Sequence, residues 1–198
     1  HGVKDIDMDI TYAPSEDPIE AMSFLSAAIT TNSQITIRRC SIDFLRVELL
    51  RLQKMGCEFT LSKPYLADNN ATTLVDITTH TYSSLRAPED KVHAAMHPGI
   101  NMDNLLFFAP IVARAKGTTL IHDWSYEDRA IYLTELRKLG VDVKLADPHR
   151  VYITGPSKFE AADIISPAAL RPAVIILITM LAAPGTSILR NIYSIARG

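Results

Sequence analysis

Acidic and basic side chains occupy corresponding positions at the start of successive apolar segments in this 198-residue sequence. Asp17 and Glu20, then Asp103, then Arg171 each stand one helix length before a turn-forming position. We expect each of them near the first turn of a buried helix, where phosphate and carboxylate groups are attracted. A carboxylate that lies beside guanidinium groups can act as a general base next to a bound anion. The spacing therefore predicts an anion site with a base at one pole of the fold.

Two further arginines, Arg129 and Arg197, share a second repeated position just after a predicted strand, and they complete the candidate set. Four of the candidates also have a purely structural interpretation. Asp103 is a suitable helix cap, and Glu20 suits the positive end of a helix dipole. Arg171 and Arg197 could form ordinary surface ion pairs. The choice between these interpretations depends on whether the fold brings the side chains together.

The composition excludes several classes of protein. The net charge is −2 with both signs mixed along the chain, so no basic face for nucleic acid is expected. The apolar run 172–184 is shorter than the ~20 residues that span a membrane, and the polar stretch HGVKDIDMDI is not a secretory leader. Cys40 and Cys57 suit free thiols in a reducing, cytoplasmic compartment. Because no metal-ligand spacing, P-loop or dinucleotide fingerprint is present, we expect no metal and no cofactor.

The chain contains three similar stretches. Gly56 of the first corresponds to Gly140 of the second, and Gly117 of the second corresponds to Gly185 of the third. The units cover roughly residues 15–63, 98–155 and 160–198, and we interpret residues 1–198 as one domain. Each unit is predicted to run helix, strand, helix, strand, and the apolar segments 24–29, 105–112 and 174–182 are its buried helices.

Residues that typically begin or end helices and strands support this prediction. In the second unit, Ser125-x-x-Asp128 predicts a helix start, and Gly140 predicts the left-handed residue that ends that helix. Residues 73–78 are predicted to form a strand within the connection that does not repeat. Residues 191–195 are predicted to be a strand that runs into a turn. The third unit then lacks its second helix and strand, so we expect the natural polypeptide to be longer.

Several segments give the sequence a family resemblance. The segments HPGINMDN, SYEDRAIYLTELRKLGVDVKL and IYSIARG resemble those of the enolpyruvyl transferases, in particular those that act on UDP-N-acetylglucosamine. The resemblance implies an α/β (α+β) domain of three pseudo-threefold units, called an inside-out α/β barrel, in which the third unit is truncated. It also implies that the chain is one of two domains with an active site between them.

The resemblance assigns roles to the candidate residues. Asp103 is implied as the base toward the sugar 3-hydroxyl, and Arg171 and Arg197 as the arginines that bind phosphoenolpyruvate. Contact with UDP-N-acetylglucosamine is implied for Asp103 and for the stretch Ser125 and Tyr126. The implied partners are these two substrates and the missing second domain, with no nucleic acid and no membrane. Two residues are implied at the edge of the site, Glu20 and Arg129.

Three alternatives remain at this stage. The chain is also compatible with a 3-phosphoshikimate enolpyruvyl transferase, with a relative from secondary metabolism, or with a non-catalytic binding domain of the same fold. Pro18 and Ala169 stand where the family usually has an arginine and an acidic residue, which favours a divergent member. We expect the full protein to transfer the enolpyruvyl group in the synthesis of peptidoglycan precursors, and the isolated chain to be inactive.

Overall fold

Helices and strands alternate along the described part of the chain, which a computed structural model gives for residue 9 and residues 11–197. The polar N-terminal residues 1–8, residue 10 and the final glycine of the IYSIARG motif lie outside the described residues. The α-helices are α1 (Pro18–Thr30), α2 (Arg46–Lys54), α3 (Phe108–Arg114), α4 (Leu170–Ala182) and α5 (Tyr193–Ala196). Segments of 3₁₀ helix cover Ile42–Phe44, Leu105–Phe107 and Arg129–Leu139.

Among the described residues, the strands form two four-stranded sheets and one two-stranded sheet. In the first sheet β4 (Thr73–Thr79) pairs with β1 (Thr36–Ser41), β2 (Phe59–Leu61) and β3 (Tyr65–Leu66), antiparallel in each case. The second sheet has the order β5-β6-β8-β7, and the small sheet pairs β9 with β10 in parallel. Their bounds are β5 (Val92–His93), β6 (Gly117–His122), β7 (Asp142–Asp147), β8 (Arg150–Gly155), β9 (Asp163–Ile165) and β10 (Ile188–Arg190).

Helix α1 shows how local chemistry sets an element boundary. The Asp17 side chain accepts a hydrogen bond of 2.8 Å from the backbone N–H of Ile19, and Pro18 occupies the first helical turn. Both features suit a helix N-terminus, where backbone N–H groups lack partners and proline loses nothing. Glu20 follows in the same turn. The acidic residues that the sequence analysis placed at a helix start do lie there.

The three apolar helices predicted from the repeats form the centre of the core. Helices α1, α3 and α4 pack against one another, and their inward faces are fully buried. The Leu133, Leu136 and Leu139 face predicted for the second unit is also fully buried. Since burial of one such side chain contributes about 1.5–3 kcal/mol, this core is the main source of stability. The buried helices predicted at 24–29, 105–112 and 174–182 are therefore confirmed.

Several finer predictions are confirmed and two are wrong. Gly140 has a φ of +81° and ends its helix as predicted, and the strand at 73–78 is β4. The helix start at Ser125-x-x-Asp128 is wrong, because Asp128 adopts a left-handed φ of 57°, its side chain caps nothing, and the following helix is 3₁₀. The strand predicted at 191–195 is also wrong, because Tyr193–Ala196 is helical.

At the level of fold class, the mixed α/β prediction is confirmed. In the described residues the three sheets stay separate, so the inside-out barrel and the truncated third unit stay predictions from the resemblance. Helix α4 carries the longest apolar run. Like the other helices of the described residues, it is too short to be a membrane-crossing segment.

Candidate active site

The second sheet determines which loops meet at the site. Strands β5 and β6 are parallel neighbours, with His93 opposite His122. The carboxyl ends of parallel strands reach the same edge of a sheet, so the segments that follow these two strands lie close together. One segment leads to Asp103 and the other contains Asp123 and residues 124–129. The sheet thus brings the segments HPGINMDN and SYEDR to one place.

Asp103 lies in a tight turn just before the 3₁₀ segment Leu105–Phe107. The backbone N–H of Asp103 donates to the side-chain oxygen of Asn101 at 2.8 Å, which fixes the turn. The Asp103 side chain is 23% exposed, and it does not cap the 3₁₀ segment that follows it. The helix-cap interpretation therefore does not hold, and the carboxylate is free to face other side chains.

Three side chains converge on the Asp103 carboxylate. Arg171 Nη2 lies 3.1 Å from Oδ2, Arg129 Nη1 lies 3.5 Å from Oδ1, and the Tyr126 hydroxyl donates to Oδ1 at 3.4 Å. Arg171 is the second residue of α4, so its placement follows from the packing of that helix in the core. The structure therefore brings together four of the residues that the sequence analysis selected.

Asp123, a residue that was not among the sequence-based candidates, forms two hydrogen bonds with Arg129. The Asp123 side chain is fully buried, and its two oxygens accept from Arg129 Nε at 2.5 Å and from Nη2 at 3.0 Å. Arg129 Nη2 also donates to the backbone carbonyl of Met102 at 2.6 Å, directly before Asp103. The only local signal for this role is the position of Asp123 at the end of β6, six residues before the arginine.

Polar atoms around this cluster remain available for a ligand. In the described part of the chain, Ser125 Oγ and Arg171 Nε are buried without a hydrogen-bond partner. Buried polar groups usually have partners, so such atoms mark places where a ligand can bind. The Tyr126 ring stacks on the Arg129 guanidinium at 3.9 Å. Tyr126 thus lies beside the Asp103 carboxylate, and Ser125 directly precedes it in the chain.

A cavity of about 510 Å³ adjoins Arg171 at the start of α4. Glu20 and Phe24 of α1 line it on one side, and Ile195 of α5 lines it on another. Arg197 does not join the Asp103 cluster: its exposed side chain lies with the guanidinium 5.5 Å from the ring centre of Tyr193. Glu20 and Arg171 thus line the same cavity, whereas Arg197 is not among the residues that line it.

The family of the chain follows from comparison with known proteins. A sequence model of the family described as EPSP synthase (3-phosphoshikimate 1-carboxyvinyltransferase) matches residues 1–198. The chain therefore belongs to this family, that of the enolpyruvyl transferases. Two curated relatives are UDP-N-acetylglucosamine 1-carboxyvinyltransferases, from Campylobacter lari (30% identical over 184 residues) and from Campylobacter jejuni subsp. doylei (32% over 185). Each alignment covers 92% of this chain and 40% of the relative, so the chain spans about two fifths of their length.

Solved structures agree with this assignment. The enolpyruvyl transferase NikO from Streptomyces tendae matches with a TM-score of 0.76 at 27% identity, over 93% of this chain and 40% of that one. EPSP synthase from Acinetobacter baumannii matches with a TM-score of 0.68 at 19% identity, over 90% of this chain and 42% of that one. The second likeness shows the fold alone.

Proposed function

We propose that this chain supplies one domain of an enzyme that transfers the enolpyruvyl group of phosphoenolpyruvate to the 3-hydroxyl of UDP-N-acetylglucosamine. The observation that carries the proposal is the Asp103 carboxylate held between Arg171 and Arg129. A base next to cations is what this chemistry requires, because a hydroxyl must lose a proton beside a highly charged enol phosphate. The product would be a precursor of peptidoglycan.

The proposed reaction has two steps. In the first, Asp103 takes the proton of the sugar 3-hydroxyl while the oxygen bonds to C2 of phosphoenolpyruvate, and C3 gains a proton from an acid. By the resemblance, that acid lies in the second domain. In the second step, C3 loses a proton to a base and the bond between C2 and the phosphate oxygen breaks, which releases inorganic phosphate and forms the C2=C3 double bond of the enol ether.

The arginines would stabilise the charge of the enol phosphate. Arg171 has a buried Nε without a partner in the described residues and borders the cavity of about 510 Å³, which suits a small phosphorylated acid. Guanidinium groups bind phosphate and carboxylate through paired hydrogen bonds. Arg197 lies two residues from Ile195, which lines the same cavity, so we propose it as the second phosphoenolpyruvate-binding arginine. Glu20 would bound this cavity on the α1 side.

The acceptor is proposed from the relatives and from the loop after β6. The curated relatives at 30–32% identity carry the name UDP-N-acetylglucosamine 1-carboxyvinyltransferase, whereas the family description names 3-phosphoshikimate. Tyr126 offers a phenol that donates to Asp103, and its neighbour Ser125 offers a buried hydroxyl without a partner in the described residues; both are groups that bind a sugar. We therefore propose UDP-N-acetylglucosamine as the acceptor, with Ser125, Tyr126 and Asp103 as its contacts in this domain and Arg129 at the edge.

Phosphate release by the full-length protein tests this proposal. We expect phosphate release with phosphoenolpyruvate and UDP-N-acetylglucosamine but not with shikimate 3-phosphate, and none from residues 1–198 alone. Asp103→Ala should lower kcat by about 10²–10⁴-fold, since it removes the base. Asp142→Asn, an exposed carboxylate on β7, is the control and should leave kcat unchanged. Undiminished turnover by Asp103→Ala would contradict the role of Asp103, and turnover of shikimate 3-phosphate alone would contradict the acceptor.

A further inference from the structure

Glu48 is a buried carboxylate that contacts the turn bearing Asp103. It lies in the first turn of α2, on the face that also buries Leu49 and Leu52, and it is 1% exposed. Its Oε1 accepts from the backbone N–H of Asn101 at 3.1 Å and from Asn104 Nδ2 at 2.9 Å. Both partners are distant in sequence, so the contact joins the first repeat unit to the active-site turn of the second.

These two bonds hold the turn on either side of Asp103. Asn101 in turn accepts the N–H of Asp103 on its side chain and the N–H of Asn104 on its backbone carbonyl. Arg129 also holds this turn, because its Nη2 donates to the carbonyl of Met102 at 2.6 Å. The position of the Asp103 carboxylate is thus set by two anchors, one from the first unit and one from the second.

The environment of Glu48 argues that it is not there for packing. Burial of a carboxyl group is unfavourable unless its oxygens are hydrogen-bonded. No lysine, arginine or histidine of the described residues lies within ion-pair distance of Glu48. An apolar side chain at this place would pack in the core without that cost. The hydrogen bonds to the Asp103 turn are therefore the interactions that account for a carboxyl group here.

We propose that Glu48 is a positioning residue that sets the location of the catalytic base through Asn101 and Asn104. The proposal rests on the proposed function, because it assigns Asp103 the role of base. It predicts that Glu48 acts through the length of its side chain and its acceptor oxygen, whereas its negative charge has little effect on kcat. A misplacement of a reacting group by about 1 Å can lower a rate by as much as 10²-fold.

Two conservative variants separate reach from charge in the full-length protein. Glu48→Gln keeps the length and an acceptor oxygen but removes the charge, and we expect its kcat to stay within about threefold of the wild type. Glu48→Asp keeps the charge but is one methylene shorter, and we expect its kcat to fall by about 10–100-fold. The KM for each substrate should change far less, because the variant displaces the base rather than the groups that bind. The reverse order, with Glu48→Gln impaired and Glu48→Asp normal, would overturn the proposal.

A helix control and a double variant complete the test. Leu49→Ala weakens α2 from the same buried face but leaves the two hydrogen bonds of Glu48 to the turn in place, so its kcat per folded molecule should stay normal. If Glu48→Asp lowers activity only in proportion to its folded fraction, as a purely structural residue would, the proposal is wrong. In an Asp103→Ala background, Glu48→Asp should cause no further loss of kcat, and a full additional loss would refute action through the base. Failure of the proposed function would appear separately, as undiminished turnover in Asp103→Ala alone.

Discussion

Replacement of Asp123 by asparagine removes the negative charge from an ion pair that the fold buries almost completely. The Asp123 side chain is 0% exposed and the Arg129 side chain 8% exposed, and two hydrogen bonds of 2.5 Å and 3.0 Å join them. Asparagine has nearly the same shape, so the substitution leaves no cavity. One of its side-chain atoms is an N–H donor, however, and it would face a guanidinium that can only donate.

The expected loss of stability in Asp123→Asn follows from the burial of the ion pair. Removal of one partner of a buried ion pair typically costs about 3–5 kcal/mol, and Arg129 would keep only Asp103, at 3.5 Å, as a compensating charge. Asparagine keeps one acceptor oxygen, so we expect the lower end, about 3 kcal/mol. For a chain of about 150–250 residues each kcal/mol lowers Tm by about 2–4 °C, which gives a decrease of about 6–12 °C.

Thermal unfolding monitored by circular dichroism measures this effect, and the chain offers a matched control. Asp163 also forms a two-bond pair with an arginine, Arg190, at 2.7 Å and 2.6 Å, but the two side chains are 47% and 59% exposed. Solvent screens such a pair, so Asp163→Asn should lower Tm by only a small fraction of the Asp123→Asn effect. Equal decreases in Tm for the two variants would refute the argument from burial.

Two further predictions concern backbone strain and thiol reactivity. Gly140→Ala should destabilise the protein by about 2–4 kcal/mol in a denaturant titration, because φ is +81° and a Cβ would lie 2.4 Å from the backbone carbonyl of Lys158. Gly185 has a similar φ of +89°, but an added Cβ would lie 3.7 Å from its nearest neighbour, so Gly185→Ala should lower the free energy of unfolding by less. An equal decrease for the two variants would contradict the steric argument. Burial raises the pKa of Cys40 to about 11 and of Cys57 to about 12, so both thiols should resist a disulfide reagent at about pH 8 until the protein unfolds. Rapid labelling of the native protein would contradict this.

Local sequence patterns were enough to predict most of the helices and strands. The apolar runs predicted the three core helices. Gly56 and Gly140 predicted where the second helices end, and both have a positive φ in the structure. Such features depend on side-chain periodicity and on backbone conformations open mainly to glycine, so neighbouring residues suffice to predict them. Local patterns gave wrong predictions at Asp128, where a helix start was expected, and at Tyr193–Ala196, where a strand was expected. There the local pattern was short, and the conformation depends on contacts with the rest of the fold.

The sequence by itself determined the repeat, the start of α1 and the selection of Asp103, Arg129 and Arg171, because residue type and spacing are local information. Tyr126 was selected through the family resemblance. Only the tertiary structure decided which atoms meet. The contacts of Glu48 with the Asp103 turn link positions 53 and 56 residues apart, and no periodicity of the chain encodes them. They exist because core packing fixes α2 against that turn, and hydrogen bonds depend on distances that only packing sets.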